Sequence, residues 1–160
     1  METQLKSSAN DFYGGLGLRP PHYPYLESTK ARKAQWFEVI SENYMDSLGQ
    51  PLEKLLKFRQ DYPIACHGVS MGLGGPDSVD TNYLQRLKNL IERVEPFLIS
   101  DHLCWTSANG HYTHDLLPLP YNDKTLTKVC ENIERAQDFL QRRLLIENPS
   151  SYMQFKDNSY

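Results

Sequence analysis

The chain has 160 residues, with 17 Lys+Arg against 20 Asp+Glu, and a formal net charge of −3 with neutral histidines. That balance leaves no broad positive field to hold a phosphate backbone, which excludes nucleic acid as a principal partner. Hydrophobic residues at 39 % and a mean hydropathy of −0.59 describe one ordered domain, and no apolar run approaches the roughly 18–20 residues of a membrane span.

After a polar leader, Gly15 to Arg19 reads as a short first strand, and Pro20-Pro21-His22-Tyr23-Pro24 reads as a stiff, non-helical loop. A short helix is expected over Glu27 to Lys33. The aromatic and β-branched run Trp36 to Ile40 suits a buried strand that ends at Ser41-Glu42-Asn43-Tyr44. Pro51 stands at a first-turn position, and Leu52, Leu55, Leu56 and Phe58 give the following helix an apolar side until Tyr62-Pro63 stops it. Pro63 to His67 reads as strand, followed by the glycine-rich loop Gly68 to Gly75. Leu84, Leu87, Leu90, Ile91 and Val94 recur at helical spacing and predict a helix closed by Pro96. Phe97 to Ser100 is a fourth strand, leading into Asp101-His102-Leu-Cys-Trp105. Thr106 to Tyr121 reads as a long loop, and long ordered loops often serve function. Asn122 can cap the next helix, with an inward stripe of Leu126, Val129, Cys130, Ile133, Ala136, Phe139 and Leu140. Arg143 to Ile146 is a fifth strand, ending at Glu147-Asn148-Pro149.

Alternation of helices with short continuous apolar strands marks an α/β fold built on a covered parallel sheet. A (β/α)8 barrel takes about 250 residues, so five strands mean either an open sheet or the front part of a longer barrel. Polar residues collect where strands end, at Glu42 and Asn43, His67, Asp101 and His102, and Glu147 and Asn148. In a parallel sheet these ends lie together, where the βα loops build ligand sites. The unpaired trio Cys66, Cys104 and Cys130 supplies no disulfide framework and suits a reducing, cytoplasmic setting.

Two imidazoles and one carboxylate, His67, His102 and Glu147, are the candidate metal ligands, a donor set that suits iron(II) or zinc and keeps coordination positions open. Asp101, with Glu42 and Asn43 a candidate catalytic residue, could be a metal ligand or hold the distal N–H of a metal-binding imidazole, although neighbouring strand residues point to opposite faces. Glu42 and Asn43 are candidates for orienting substrate. His111, His114 and Asp115 lie in the long loop, where His-x-x-His spacing offers a weaker ligand set. Gly68-Val-Ser70-Met-Gly72 matches the nucleophile-elbow pattern, but Leu73-Gly-Gly-Pro76 postpones the helix such an elbow requires. Trp105 and Tyr44 are candidates for the mouth of the site.

Gly15 to Arg19, Phe37 to Tyr44, His67 to Gly74, Ser100 to Trp105, Asp115 to Tyr121 and Glu147 to Tyr152, taken in order, resemble the MbnB-like family. These are multinuclear iron enzymes related to methanobactin biosynthesis, and many members are of unknown function. The resemblance implies a xylose-isomerase-like TIM barrel with two or three irons at its C-terminal face. It implies oxygen-dependent oxidation of a cysteine in a ribosomal peptide, with a second protein presenting the peptide leader. It places iron ligands on His67, His102 and Glu147, with Glu147 bridging. Family members continue through further strands bearing more Asp, His and Glu ligands, so the resemblance makes residues 1–160 a single domain corresponding to the N-terminal part of the barrel. The rival expectations are a zinc- or manganese-dependent sugar isomerase or hydrolase of the same architecture, and a non-catalytic truncated remnant.

Overall fold

A computed structural model describes residues 14–28, 34–108, 110–150 and 155–156. Its strands are β1 (Gly15–Gly17), β2 (Trp36–Ile40), β3 (Ile64–His67), β4 (Leu98–His102), β5 (Trp105–Ala108), β6 (His111–Leu117) and β7 (Leu145–Glu147). β1, β2, β3, β4 and β7 pair in that order in one parallel sheet, and β5 and β6 form a separate antiparallel pair. The helices are α1 (Tyr23–Ser28), α2 (Glu42–Met45), α3 (Gln50–Asp61), α4 (Thr81–Val94) and α5 (Asp123–Leu140). None of them is long and apolar enough to cross a membrane.

Register decides which side chains share a face, because paired residues of neighbouring parallel strands project to the same side. Phe37, Val39, Ile64, Cys66 and Ile99 project to the side covered by helices. There Leu52, Leu55 and Phe58 of α3, Leu84, Leu87 and Ile91 of α4, and Ala136 and Leu140 of α5 close two adjoining cores. The opposite face carries Trp36, Glu38, Ile40, His67, Ser100, His102 and Glu147, and none of these belongs to either core. Among the described residues the helices cover the sheet from one side, an arrangement compatible with part of a (β/α)8 barrel.

The prolines of Pro20 to Pro24 do not hold that segment in a loop. Pro20–His22 is a 3-10 turn running into α1, with Pro24 in the helix's first turn. First-turn N–H groups have no intrahelical acceptor to lose, so proline fits there. α1 overlaps the expected Glu27 to Lys33 helix only at Glu27 and Ser28, and residues 29–33 lie outside the described residues. Glu42 and Asn43 occupy the first turn of α2 rather than a strand end. The segment read as a long loop holds β5 and β6, joined at Gly110 with φ +76°. The dipeptide Asn109-Gly110 was the available signal, since this pair favours tight hairpin turns.

α5 begins as its cap predicts, with the Asn122 side chain accepting from Thr125 N at 2.9 Å. Its buried stripe, however, is Val129, Asn132, Ala136 and Leu140, while Leu126 and Cys130 are exposed. Asn132, being polar, falls outside the expected apolar stripe. Its Nδ2 donates to Leu73 O at 2.9 Å and Asp77 O at 3.3 Å, tying the glycine-rich loop to α5. A buried amide is tolerated where it is hydrogen-bonded in this way. The last strand is Leu145–Glu147, starting two residues and ending one residue later than expected, and its partner on one side is β4.

Candidate metal centre

His67 ends β3, His102 ends β4 and Glu147 ends β7. The pairings His67↔Ser100 and His102↔Glu147 bring all four side chains to the uncovered face. His67 Nε2 lies 3.5 Å from Glu147 Oε2, and His102 Nε2 lies 3.7 Å from Glu147 Oε1. The imidazole rings meet edge to face, with centroids 4.5 Å apart. Both histidines are buried, whereas the Glu147 side chain is 55 % exposed.

The other nitrogen of each ring is held by the scaffold. His102 Nδ1 lies 3.2 Å from Gly68 O, and a carbonyl can only accept, so Nδ1 is the donor; in the neutral ring this leaves the Nε2 lone pair turned toward Glu147. His67 Nδ1 is 2.8 Å from Ser100 Oγ, which fixes the ring with its Nε2 facing the same carboxylate. Holding the distal nitrogen is how proteins orient metal-binding imidazoles. One ligand atom from each of the three residues lies within 4.8 Å of the others. Two ligands each about 2.0–2.2 Å from one ion lie at most about 4.4 Å apart, and the 3.5 and 3.7 Å separations across Glu147 fall inside that limit. The donor set therefore fits a first-row divalent metal, and it leaves positions for further ligands.

Asp101 does not join this trio. It points to the opposite face, is fully buried, and its Oδ1 accepts from His102 N at 2.7 Å. Its Oδ2 lies 3.5 Å from the Tyr83 hydroxyl. Burial pushes its carboxyl up to about 7; the His102 N–H opposes that rise and the Glu42 charge adds to it. Glu42 Oε1 accepts from Val69 N and from Tyr83 OH, each at 2.8 Å, while its buried Oε2 has no hydrogen-bond partner among the described residues. Glu42, Tyr83 and Asp101 thus form a polar strut beneath the start of the glycine-rich loop. Burial also drives the Tyr83 hydroxyl well above its ordinary value, the two carboxylates adding to it.

Gly68 is the tightest point of this arrangement. A Cβ there would collide with Asp101 Oδ2 and come within 3.0 Å of the Tyr83 hydroxyl. Asn43 is exposed and lines a groove beside the ends of β1 and β2, together with Tyr44. Trp105 donates from Nε1 to Pro118 O at 2.9 Å, bracing the β5–β6 hairpin. His111, His114 and Asp115 lie on β6 and take no part in the trio. Ser70 lies in the loop well ahead of α4, so the elbow context is absent. Ser100 and Tyr83 were missed by sequence reasoning. Ser100 carries a signal in hindsight, lying two residues before His102 on one strand face, whereas Tyr83 reads as ordinary core.

A family model described as "RiPP precursor modification enzyme MbnB/TglH/ChrH" matches residues 13–160. The chain belongs to this family. Among curated relatives, a UPF0276 protein of Caulobacter vibrioides is 50% identical over 145 residues, covering 91% of this chain and 52% of the relative. One from Rhizorhabdus wittichii is 51% identical over 142 residues, covering 88% and 51%, and one from Acaryochloris marina is 48% identical over 145 residues, covering 91% and 52%. The chain spans about half the length of the curated relatives it matches. Membership in the family and the gathered donors together make His67, His102 and Glu147 the candidate metal site.

Proposed function

We propose that this chain provides part of the metal centre of an iron-dependent oxidative enzyme that modifies a cysteine in a ribosomally made peptide. The observation that carries the proposal is the trio itself: two buried imidazoles with scaffold-held Nδ1 atoms, and Nε2 atoms turned toward one carboxylate. In the intact family form His67, His102 and Glu147 would hold iron as part of a centre of two or three ions. Iron held there would supply Lewis-acid and redox chemistry for the oxidation. Ser100 and the Gly68 carbonyl keep the imidazoles aimed, while Glu147, on the exposed side, faces the incoming substrate. Glu42 and Asp101 support the loop that carries Gly68, and Asn43 stands where a substrate backbone can be oriented.

The one-sided helical cover supports reading residues 1–160 as a single domain equivalent to the front of a (β/α)8 barrel, with β7 at its open edge. Cys66, Cys104 and Cys130 are all free thiols, which supports a cytoplasmic setting. The peptide leader would be presented by a second protein. Metal content measured by mass spectrometry after aerobic and anaerobic purification of the longest natural form tests the proposal, with His67→Ala and His102→Ala alongside. Iron in the parent, lost from both variants while their folds persist, is the expected result. Full zinc or manganese occupancy without iron would overturn it in favour of isomerase or hydrolase chemistry.

A further inference from the structure

A groove of about 520 Å³ opens between the C-terminal ends of β1 and β2 and the start of α3. Arg19, Asn43 and Lys54 line it, and no acidic residue does among the described residues. Arg19 Nη1 reaches the carbonyl of its own neighbour Leu18 at 3.4 Å, and no described carboxylate forms an ion pair with it. Lys54 has a solvent-exposed pairing with Glu27 at 3.7 Å, of the kind that contributes little. The wall includes Tyr23 and Tyr44, whose hydroxyls lie 3.0 Å apart. One of the two donates to the other, which leaves the second hydroxyl's proton for an acceptor in the groove.

The groove lies within reach of the candidate metal centre. Ile40 lines it and is the register partner of His67. β1 is two strand spacings from β3, roughly 10 Å at about 4.8 Å per strand. An extended peptide advances about 3.3 Å per residue, so one laid across the strand ends from His67 arrives in about three residues. Two cations, an amide and a hydroxyl on side chains suit a planar carboxylate, which Arg binds through its forked donors.

We propose that this groove is a carboxylate-recognition subsite, seating an acidic side chain or a terminal carboxylate about three residues along a peptide from the residue held at the metal centre. The inference rests on the peptide-modifying reading above.

Calorimetric titration under anaerobic, reducing conditions tests it with three probes: acetyl-Cys-Ala-Ala-Glu-amide, acetyl-Cys-Ala-Ala-Ala with a free C-terminus, and the neutral acetyl-Cys-Ala-Ala-Gln-amide. At least one anionic probe is expected to bind ten-fold or more tightly than the neutral probe, and which one does so separates the side-chain source from the terminal source. Arg19→Gln combined with Lys54→Gln should bring the ratio to about one, with melting temperature and metal content unchanged. Equal binding of all three probes, or a preference that survives the double substitution, would overturn the subsite. Iron uptake measured on the same preparation keeps the two readings apart: a missing preference in a protein that holds iron sinks the subsite alone, and a preference in a protein that never takes up iron sinks the metal reading alone.

Discussion

Replacing Gly68 with alanine tests the claim that close approach, rather than loop flexibility, puts glycine beside the metal ligands. The added methyl would be driven into Asp101 Oδ2, a fully buried carboxylate that cannot swing into solvent. Relief requires the β3–α4 loop to move away from β4, and overpacking of this kind costs about 1–3 kcal/mol. At about 2–4 °C per kcal/mol for a chain of this size, the melting temperature should fall by roughly 2–12 °C. The same movement shifts the Gly68 carbonyl that holds His102 Nδ1, so metal affinity should fall as well. The decisive assay is a double-mutant cycle read by thermal and urea denaturation. Asp101→Ala opens the space the methyl needs, so Gly68→Ala should cost at least about 1 kcal/mol less in that background. Strict additivity of the two substitutions would refute the steric argument.

Ser100→Ala leaves His67 Nδ1 without its hydroxyl partner, and should weaken metal binding about 10–100-fold with circular dichroism unchanged, as measured by competition with a chelating indicator. Burial, with the Tyr23 hydroxyl, raises the Tyr44 pKa above its ordinary value of 10.0, so the stability it contributes is complete below that pH and declines as pH rises past it. Tyr44→Phe should remove that part of the alkaline loss, about 1.4 kcal/mol per pH unit above pH 10, in urea titrations of the two proteins run side by side. Burial pushes the Cys66 and Cys104 thiols up to about 12, whereas Cys130 is exposed. At pH 8 an alkylating reagent should label Cys130 promptly and reach Cys66 and Cys104 on unfolding, as read by peptide mass mapping.

Elements with a strong local pattern were legible. Trp36–Ile40 matches the expected strand residue for residue, and α4 has the stripe and the Pro96 stop that its leucines predict. Asp80 caps α4 by accepting from Asn82 N at 2.9 Å, a local bond within the polar run before the helix. The failures share one cause, that a local rule met a tertiary one. Three prolines argued against helix until their place in a first turn made them harmless. Asn132 was polar and Cys130 apolar, yet the neighbouring loop supplied acceptors for the amide while the thiol faced solvent. The hairpin was hidden because β6 is mostly exposed and shows no apolar alternation, leaving a single turn dipeptide as its signal.

The order of the five parallel strands and of α3, α4 and α5, and the places where His67, His102 and Glu147 fall, were written in the sequence itself, because apolar runs and breakers act over a few residues. Tertiary structure decided which face each donor takes and which nitrogen it offers. Both depend on register, and a one-residue slip in pairing would turn His67 or Glu147 to the helical side. The contacts that aim the rings come from Ser100 and Gly68, each 33 or 34 positions away in the chain from the imidazole it holds, so only the folded sheet brings them together.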